Sequence, residues 1–151
     1  MPGCVLRVGG RSFQPDEFLA GSGLRAYDVW HVGDPVKRRR PDPHRVYKNS
    51  GFKSRVSEAD GMLRQEVEDA EAFLSRYRED FLRLAADPHL DFCDLDFGYY
   101  CRLGQSNAVH DKSVVCVQGE YLPNSFLRLA GELRISVALS LYPNSDEGEE
   151  P

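Results

Sequence analysis

The run Asp87-Pro88-His89-Leu90-Asp91-Phe92-Cys93-Asp94-Leu95-Asp96 brings carboxylates, an imidazole and a thiol into one short stretch. On a strand, Asp94 and Asp96 point to the same face, and with His89 they form a set that could hold a divalent cation through oxygen ligands. Such a stretch is more often a solvated strand with a polar lead-in, so the metal set is a secondary reading. His110-Asp111 is the other pair with catalytic types, since a carboxylate can orient an imidazole as a general base. Adjacent residues point apart, however, and no Ser or Cys nucleophile can be placed beside them, so no catalytic residue is assigned. His31, next to Trp30, reads as a turn residue. The basic stretch Lys37, Arg38, Arg39, Arg40, His44, Arg45 and Tyr47 has the side chains that contact phosphates. Glycine-rich phosphate loops, nucleophile elbows and paired-histidine zinc motifs are all missing, and nothing calls for a cofactor.

The composition narrows the classes further. The 151 residues suffice for one domain with its own core, and 41% of them are hydrophobic. The net charge is −5, with 19 basic and 24 acidic residues. That balance argues against general nucleic-acid binding and leaves the basic loop as a local exception. No apolar run is long enough to span a bilayer, and the opening MPGCVLRVGG lacks the pattern of a secretory signal. Cys4, Cys93, Cys101 and Cys116 show neither zinc-like nor disulfide-framework spacing, so they read as reduced core or sheet residues of a cytoplasmic protein.

The elements that would position these residues follow from periodicity and punctuation. Cys4–Val8 reads as a strand bounded by Gly9-Gly10. Ser12–Leu19 reads as a short helix with Pro15 at its first position and Gly21 closing it in the left-handed conformation. Leu24–Val32 is extended. Gly33–Arg45, with Pro35, Pro41 and Pro43, is a basic surface loop, and Val46–Val56 returns as a strand. Ser57-Glu58-Ala59-Asp60 resembles a capping box. After it, Leu63, Val67, Ala70, Leu74, Tyr77, Phe81 and Leu84 recur at helical spacing, predicting one long core helix that stops at Asp87-Pro88. Asp91–Arg102 alternates as a strand: Cys93, Leu95, Phe97, Tyr99 and Cys101 lie on one face, Asp94, Asp96, Gly98 and Tyr100 on the other. Ser113–Val117 is a further strand and Pro123–Ala130 a second short helix closed by Gly131. The last strand turns Leu133, Ile135, Val137, Leu139 and Leu141 inward, and Arg134, Ser136, Ala138, Ser140 and Tyr142 outward.

Two stretches look alike. Val5–Gly9, the Pro-Asp-Glu-Phe-Leu helix and Leu24-Arg25 match Val114–Gly119, the Pro-Asn-Ser-Phe-Leu helix and Leu133-Arg134, which suggests an internal β-α-β duplication. The predicted fold class is α+β: a two-layer sandwich with a mainly antiparallel sheet of about five strands, one long and two short helices on one face. Residues 1–143 form the single domain, and 144–151 an acidic tail with nothing to bury, predicted to be disordered. The sheet's other face, with Arg134, Ser136, Ser140, Tyr142 and Tyr100, is then free to bind.

Pro15-Asp16-Glu17, the Val32-Gly33-Asp34 turn after Trp30, the long acidic helix, and Leu127-x-Leu129-Ala-Gly-Glu-Leu-x-Ile-Ser through Leu141-Tyr142 together resemble a family of small bacterial proteins catalogued only as a domain of unknown function. The resemblance runs from Val5 to Tyr142, rests on packing and turn residues, and departs from the family pattern in the length and basicity of 33–45. It implies the fold and carries over no catalytic residue. Immunity proteins that neutralise toxins are an analogy at the level of fold. The expectation is therefore a non-catalytic protein-binding module of immunity or inhibitor type, with binding residues Arg134, Ser136, Ser140, Tyr142, Tyr100 and loop residues Arg38, Arg39 and Arg40. A small metal- or ligand-binding domain using Asp91–Asp96, and phosphate or nucleic-acid contact through 37–45, are the alternatives. A homodimer through an exposed strand edge is compatible with the pattern.

Overall fold

The structure is a computed structural model that describes residues 3–37, 44–103, 106–108, 111–114 and 117–143. Arg38, Arg39, Arg40, His110, Cys116 and the acidic tail lie outside the described residues. The elements in chain order are β1 (Cys4–Gly10), α1 (Pro15–Ala20), β2 (Asp28–Trp30), β3 (Ser50–Arg55), α2 (Leu63–Arg76), α3 (Arg78–Ala86), β4 (Phe92–Tyr100), β5 (Ser106–Ala108), β6 (Asp111–Val114), α4 (Asn124–Glu132) and β7 (Ser136–Tyr142).

Strands β2, β3, β1, β4 and β7 form one five-stranded sheet in that spatial order. The β2/β3, β3/β1 and β1/β4 pairs are antiparallel, and only β4/β7 is parallel, so the sheet is mainly antiparallel as expected for this α+β fold. Strands β5 and β6 pair with each other in a separate two-stranded sheet. This limits the internal likeness: β1 is central, whereas Val114 ends β6 outside the main sheet.

Alternation sorts the side chains of β1. Cys4, Leu6 and Val8 are fully buried and meet Val67, Ala70, Leu74, Phe81, Leu84 and Phe126 from the helical layer. Phe52, Cys93, Leu95 and Phe97 extend the same face, and Phe97 meets Phe126 edge to face at 5.5 Å. Each large side chain buried this way contributes about 1.5–3 kcal/mol before ordering entropy is subtracted. Cys4 and Cys93 are free thiols within this core; burial raises the pKa of both, Cys93 to about 12, which makes them poor nucleophiles.

The glycines of β1 lie inside the strand instead of bounding it, because other chain segments press on them. A side chain on Gly9 would meet the Phe92 ring, and one on Gly10 would run into the His89 carbonyl. Opposite Gly9, Gly51 of β3 leaves room for the Trp30 indole, whose Cζ2 lies 2.6 Å from where a β-carbon would sit. Trp30 is thereby buried against the sheet, stacked on Tyr47 at 5.5 Å, with its Nε1 donating to Asn49 Oδ1 at 3.0 Å.

The expected long helix is two. It begins at Leu63, after Gly61 turns the chain at φ +72°, and Ser57 does not cap it. Ser57 Oγ instead donates to Asp69 Oδ2 at 2.5 Å and accepts the Ala59 amide at 3.0 Å, tying the incoming loop to the side of α2. Tyr77 leaves helical geometry at φ −106°, ψ 25°, and its ring packs on Phe73 at 4.8 Å. The bend separates α2 from α3 while Leu74, Phe81 and Leu84 all stay buried. Gly21 has φ −102° and is not left-handed; Arg83 covers that end of α1, donating to Gly21 O at 2.6 Å with its guanidinium over the Phe18 ring. Gly131 sits within α4, which ends at Glu132 with Leu133 as its C-cap.

Glu66 is the anomaly of the core. It is completely buried in α2, and neither carboxylate oxygen has a hydrogen-bond partner among the described residues. Desolvation raises its pKa to about 7, with Asp60 and Asp69 adding repulsion and the Gly61 amide working the other way. An acid whose folded pKa exceeds its unfolded value near 4.5 binds its proton more tightly in the native state. Stability is therefore lost as pH rises from the unfolded value through about 7. Glu66→Gln should remove that slope and, above neutrality, raise stability by on the order of 2 kcal/mol in denaturant titrations across pH. Gly51→Ala should cost about 1–3 kcal/mol, because the new carbon would run into the Val8 carbonyl of β1 as well as the Trp30 indole. Gly131→Ala, with nothing within 4 Å of the new carbon, should instead gain about 0.5–1 kcal/mol in the same titration.

Candidate functional site

The face of the sheet turned away from the helices carries the polar members of the alternation. Register places Asp28, Lys53, Arg7, Asp94 and Ser136 side by side across all five strands. The next row along holds Arg55, Val5, Asp96 and Ala138, and Ser140 follows opposite Gly98. At one end of the face Trp30 covers Gly51; at the other, Tyr100 and Tyr142 are register neighbours.

Arg7 organises the middle. Its Nε and Nη2 reach Asp94 Oδ2 at 2.7 and 2.6 Å, and its Nη1 lies 3.4 Å from Asp96 Oδ2. Ser140 Oγ donates to Asp96 Oδ1 at 2.6 Å. One guanidinium thus holds two carboxylates, and a hydroxyl from β7 closes the network. Charge-assisted hydrogen bonds to a planar, multidentate donor are the strong kind, and they fix side chains as well as attract them. Around this network Lys37 Nζ donates to Asp28 Oδ1 at 2.7 Å, which raises the lysine pKa, and Lys53 Nζ lies 5.9 Å from the Trp30 ring centroid. Arg55 is exposed and has no ion pair among the described residues.

This geometry changes the metal reading. Asp94 and Asp96 do share a face, but their charge is met by Arg7. His89 stands in the turn before β4, its amide donating to Asp87 Oδ1 at 2.8 Å, while Asp91 Oδ2 accepts the Arg11 amide. Among the described residues no group of three or more His, Cys, Asp or Glu side chains is placed to hold a metal ion.

The expected binding residues divide. Ser136, Ser140, Tyr142 and Tyr100 fall on the open face as predicted, and Ser140 joins the network. Arg134 does not belong to β7: it occupies the turn after α4 at φ +55°, beyond the strand's first residue. The strand from Ser136 to Tyr142 is itself roughly 20 Å long, so Arg134 before its start and Tyr142 at its end do not converge on one small ligand. Arg7, Lys53, Arg55 and Asp28 escaped the sequence reading. Alternation in Cys4–Val8 already puts Arg7 opposite the core, but its meeting with Asp94 depends on antiparallel register between distant strands.

The base of the 33–45 loop is more ordered than its prolines suggested. Pro35 bridges Val46, with Val36 N donating to Arg45 O and Tyr47 N to Asp34 O, both at 2.9 Å. Proline is accommodated because this pairing is an isolated bridge. His31 fastens the loop to α1: its Nε2 lies 2.7 Å from Asp16 Oδ2 and its Nδ1 3.3 Å from Asp34 Oδ2. The hydrogen bond with Asp16 chiefly raises the imidazole pKa, and the His31 amide lowers that of Asp34. His31 is thus a surface tether, with no nucleophile in its described contacts.

A cleft of about 710 Å³ lies at the start of α2 and is lined by Asp60, Arg64, Glu68, Tyr100, Arg102 and Glu120 among others. Its charges pair internally, Arg64 with Glu68 at 3.3 Å and Arg102 with Glu120 at 3.0 Å, and leave no converging set of reactive groups. No described helix is long and apolar enough to cross a membrane.

Arg7→Ala separates the charge network from the fold. Thermal denaturation should show a loss of about 1–3 kcal/mol, together with a stabilisation by millimolar calcium or magnesium that the native chain lacks, because Asp94 and Asp96 are left without their cation. Equal metal responses in both proteins would show that Arg7 does not neutralise the pair. Compared with known proteins, the chain matches no family model, no curated protein and no solved structure.

Proposed function

We propose that this chain is a non-catalytic binding module that engages another protein through the open face of its sheet, in the manner of an immunity or inhibitor protein acting in the reduced cytoplasm. The carrying observation is the Arg7–Asp94–Asp96–Ser140 network, which locks polar side chains of three neighbouring strands where the core makes no demand on them. Side chains already fixed before association lose little freedom on binding. Arg55 and Tyr142, exposed on either side of the network, are of the types that dominate interface energetics. Lys53 and Arg55 give the face local cations despite the chain's net charge of −5, which suits a partner presenting carboxylates.

The experiment is affinity capture from source-cell lysate with three folded baits: the native chain, Arg55→Glu with Tyr142→Ala, and Arg64→Glu on the exposed side of α2. A stoichiometric protein retained by the native and Arg64→Glu baits, and reduced at least tenfold by the double variant, is the expected result. Retention by the double variant would move the binding surface off this face.

A further inference from the structure

The two edges of the sheet are built differently. β2, at one edge, has only three residues, and beyond it the connection to β3 is held by a single bridge between Pro35 and Val46. Lys37 lies over that edge, donating to Asp28 Oδ1 and to the Val29 carbonyl at 3.5 Å. A short strand with a lysine across it is a common way of preventing another chain from pairing there. β7, at the opposite edge, has none of these devices. Its seven residues, Ser-Val-Ala-Leu-Ser-Leu-Tyr, contain no charge and no proline, and its register with β4 runs without a bulge. Among the described residues its strand partner is β4 alone, leaving its outer backbone groups without a ladder.

Its side chains are also unfinished. Val137, Leu139 and Leu141 lie on the helical side beside Leu95, Phe97 and Tyr99, yet Leu139 and Leu141 remain 46% and 52% exposed. The sequence reading turned them inward; the structure shows that the helical layer stops short of this edge. Leu127 of α4, in the same layer, is 45% exposed.

We propose that β7 pairs antiparallel with β7 of a second copy of this chain, about a twofold axis at Leu139, to form a continuous ten-stranded sheet. The occupant follows from the pattern. Inverting the strand about Leu139 sets Val137 against the second copy's Leu141, Ala138 against Ser140, and Ser136 against Tyr142. Aliphatic side chains then meet aliphatic ones on the helical side, small and aromatic ones meet on the open side, and no charge faces a like charge. The pairing keeps both helical layers on the same side, and the two open faces become one surface with two Arg7 networks. The Asp96–Ser140 hydrogen bond lies within each copy and needs no rearrangement.

Sedimentation equilibrium of the native chain over a wide concentration range tests the proposal, with Leu139→Lys plus Leu141→Lys as the variant. Both leucines are half exposed, so the variant should keep its circular dichroism spectrum. The expected result is a native species of twice the 17.1 kDa chain mass, and a variant of single mass with self-association weakened at least a hundredfold. Hydrogen exchange read on the native chain needs no variant: outward amides of β7 should gain protection as concentration rises, while those of β2 do not. A native chain that stays monomeric at every concentration overturns the proposal, as does a dimer that survives both lysines or protects β2 instead. None of these results depends on the capture of a partner by the open face, so the two readings stand or fall separately.

Discussion

Strand β1 has hydrogen-bonded neighbours on both sides, and its seven residues must satisfy three demands at once. One face, Cys4, Leu6 and Val8, fills the space under α2, α3 and α4. The other places Arg7 between the carboxylates of β4 and the cations of β3. The far end must have no side chains at all, because Phe92, the His89 carbonyl and, through Gly51, the Trp30 indole occupy the space where they would be. A shift of one residue would exchange every buried group for an exposed one and drive Arg7 into the helical layer. The register of the whole sheet is therefore fixed from its centre outward, and both candidate surfaces inherit their geometry from it.

Electrostatics on the two layers follow opposite rules. On the open face each carboxylate of β4 has a partner, and partial solvation keeps the interaction inexpensive. Inside the helical layer Glu66 has no cation beside it among the described residues, so neutralisation by a proton is its accessible route to low energy near neutral pH. Carboxyl groups thus meet a guanidinium in one layer and desolvation in the other, a few residues from the loop that Ser57 and Asp69 tie down.

Local order was legible wherever a pattern closed within one element. The alternation of Asp91–Arg102 sorted Cys93, Leu95 and Phe97 from Asp94 and Asp96 correctly, and Pro15 marked the start of α1. The fold class followed from these pieces. What was not legible depended on partners far along the chain. Periodicity ran straight through Tyr77 because Leu74 and Phe81 keep their spacing and stay buried on either side of the bend. The helix start was misplaced because Ser57 Oγ accepts the Ala59 amide within the incoming loop and donates to Asp69, instead of accepting an amide of the first turn of α2. Arg7 went unremarked since one arginine in a short strand is ordinary until register brings two aspartates to it. Arg134 was assigned to the last strand by parity, and a positive φ took it out.

The parallel pairing of β4 with β7 has a kinetic side. Every other pairing in the main sheet joins antiparallel strands, whereas β7 can reach its place only after the chain has travelled through β5, β6 and α4 and crossed back over the sheet. That return is a single ladder on one side of one strand. The four strands from β2 to β4 can form around β1 without it. β7 and α4 thus form a unit whose detachment would leave the other four strands paired. When that unit detaches, Asp96 loses the Ser140 hydroxyl and Phe97 loses the Phe126 ring. Loosening at one edge of the sheet is thereby transmitted to the polar network at its middle.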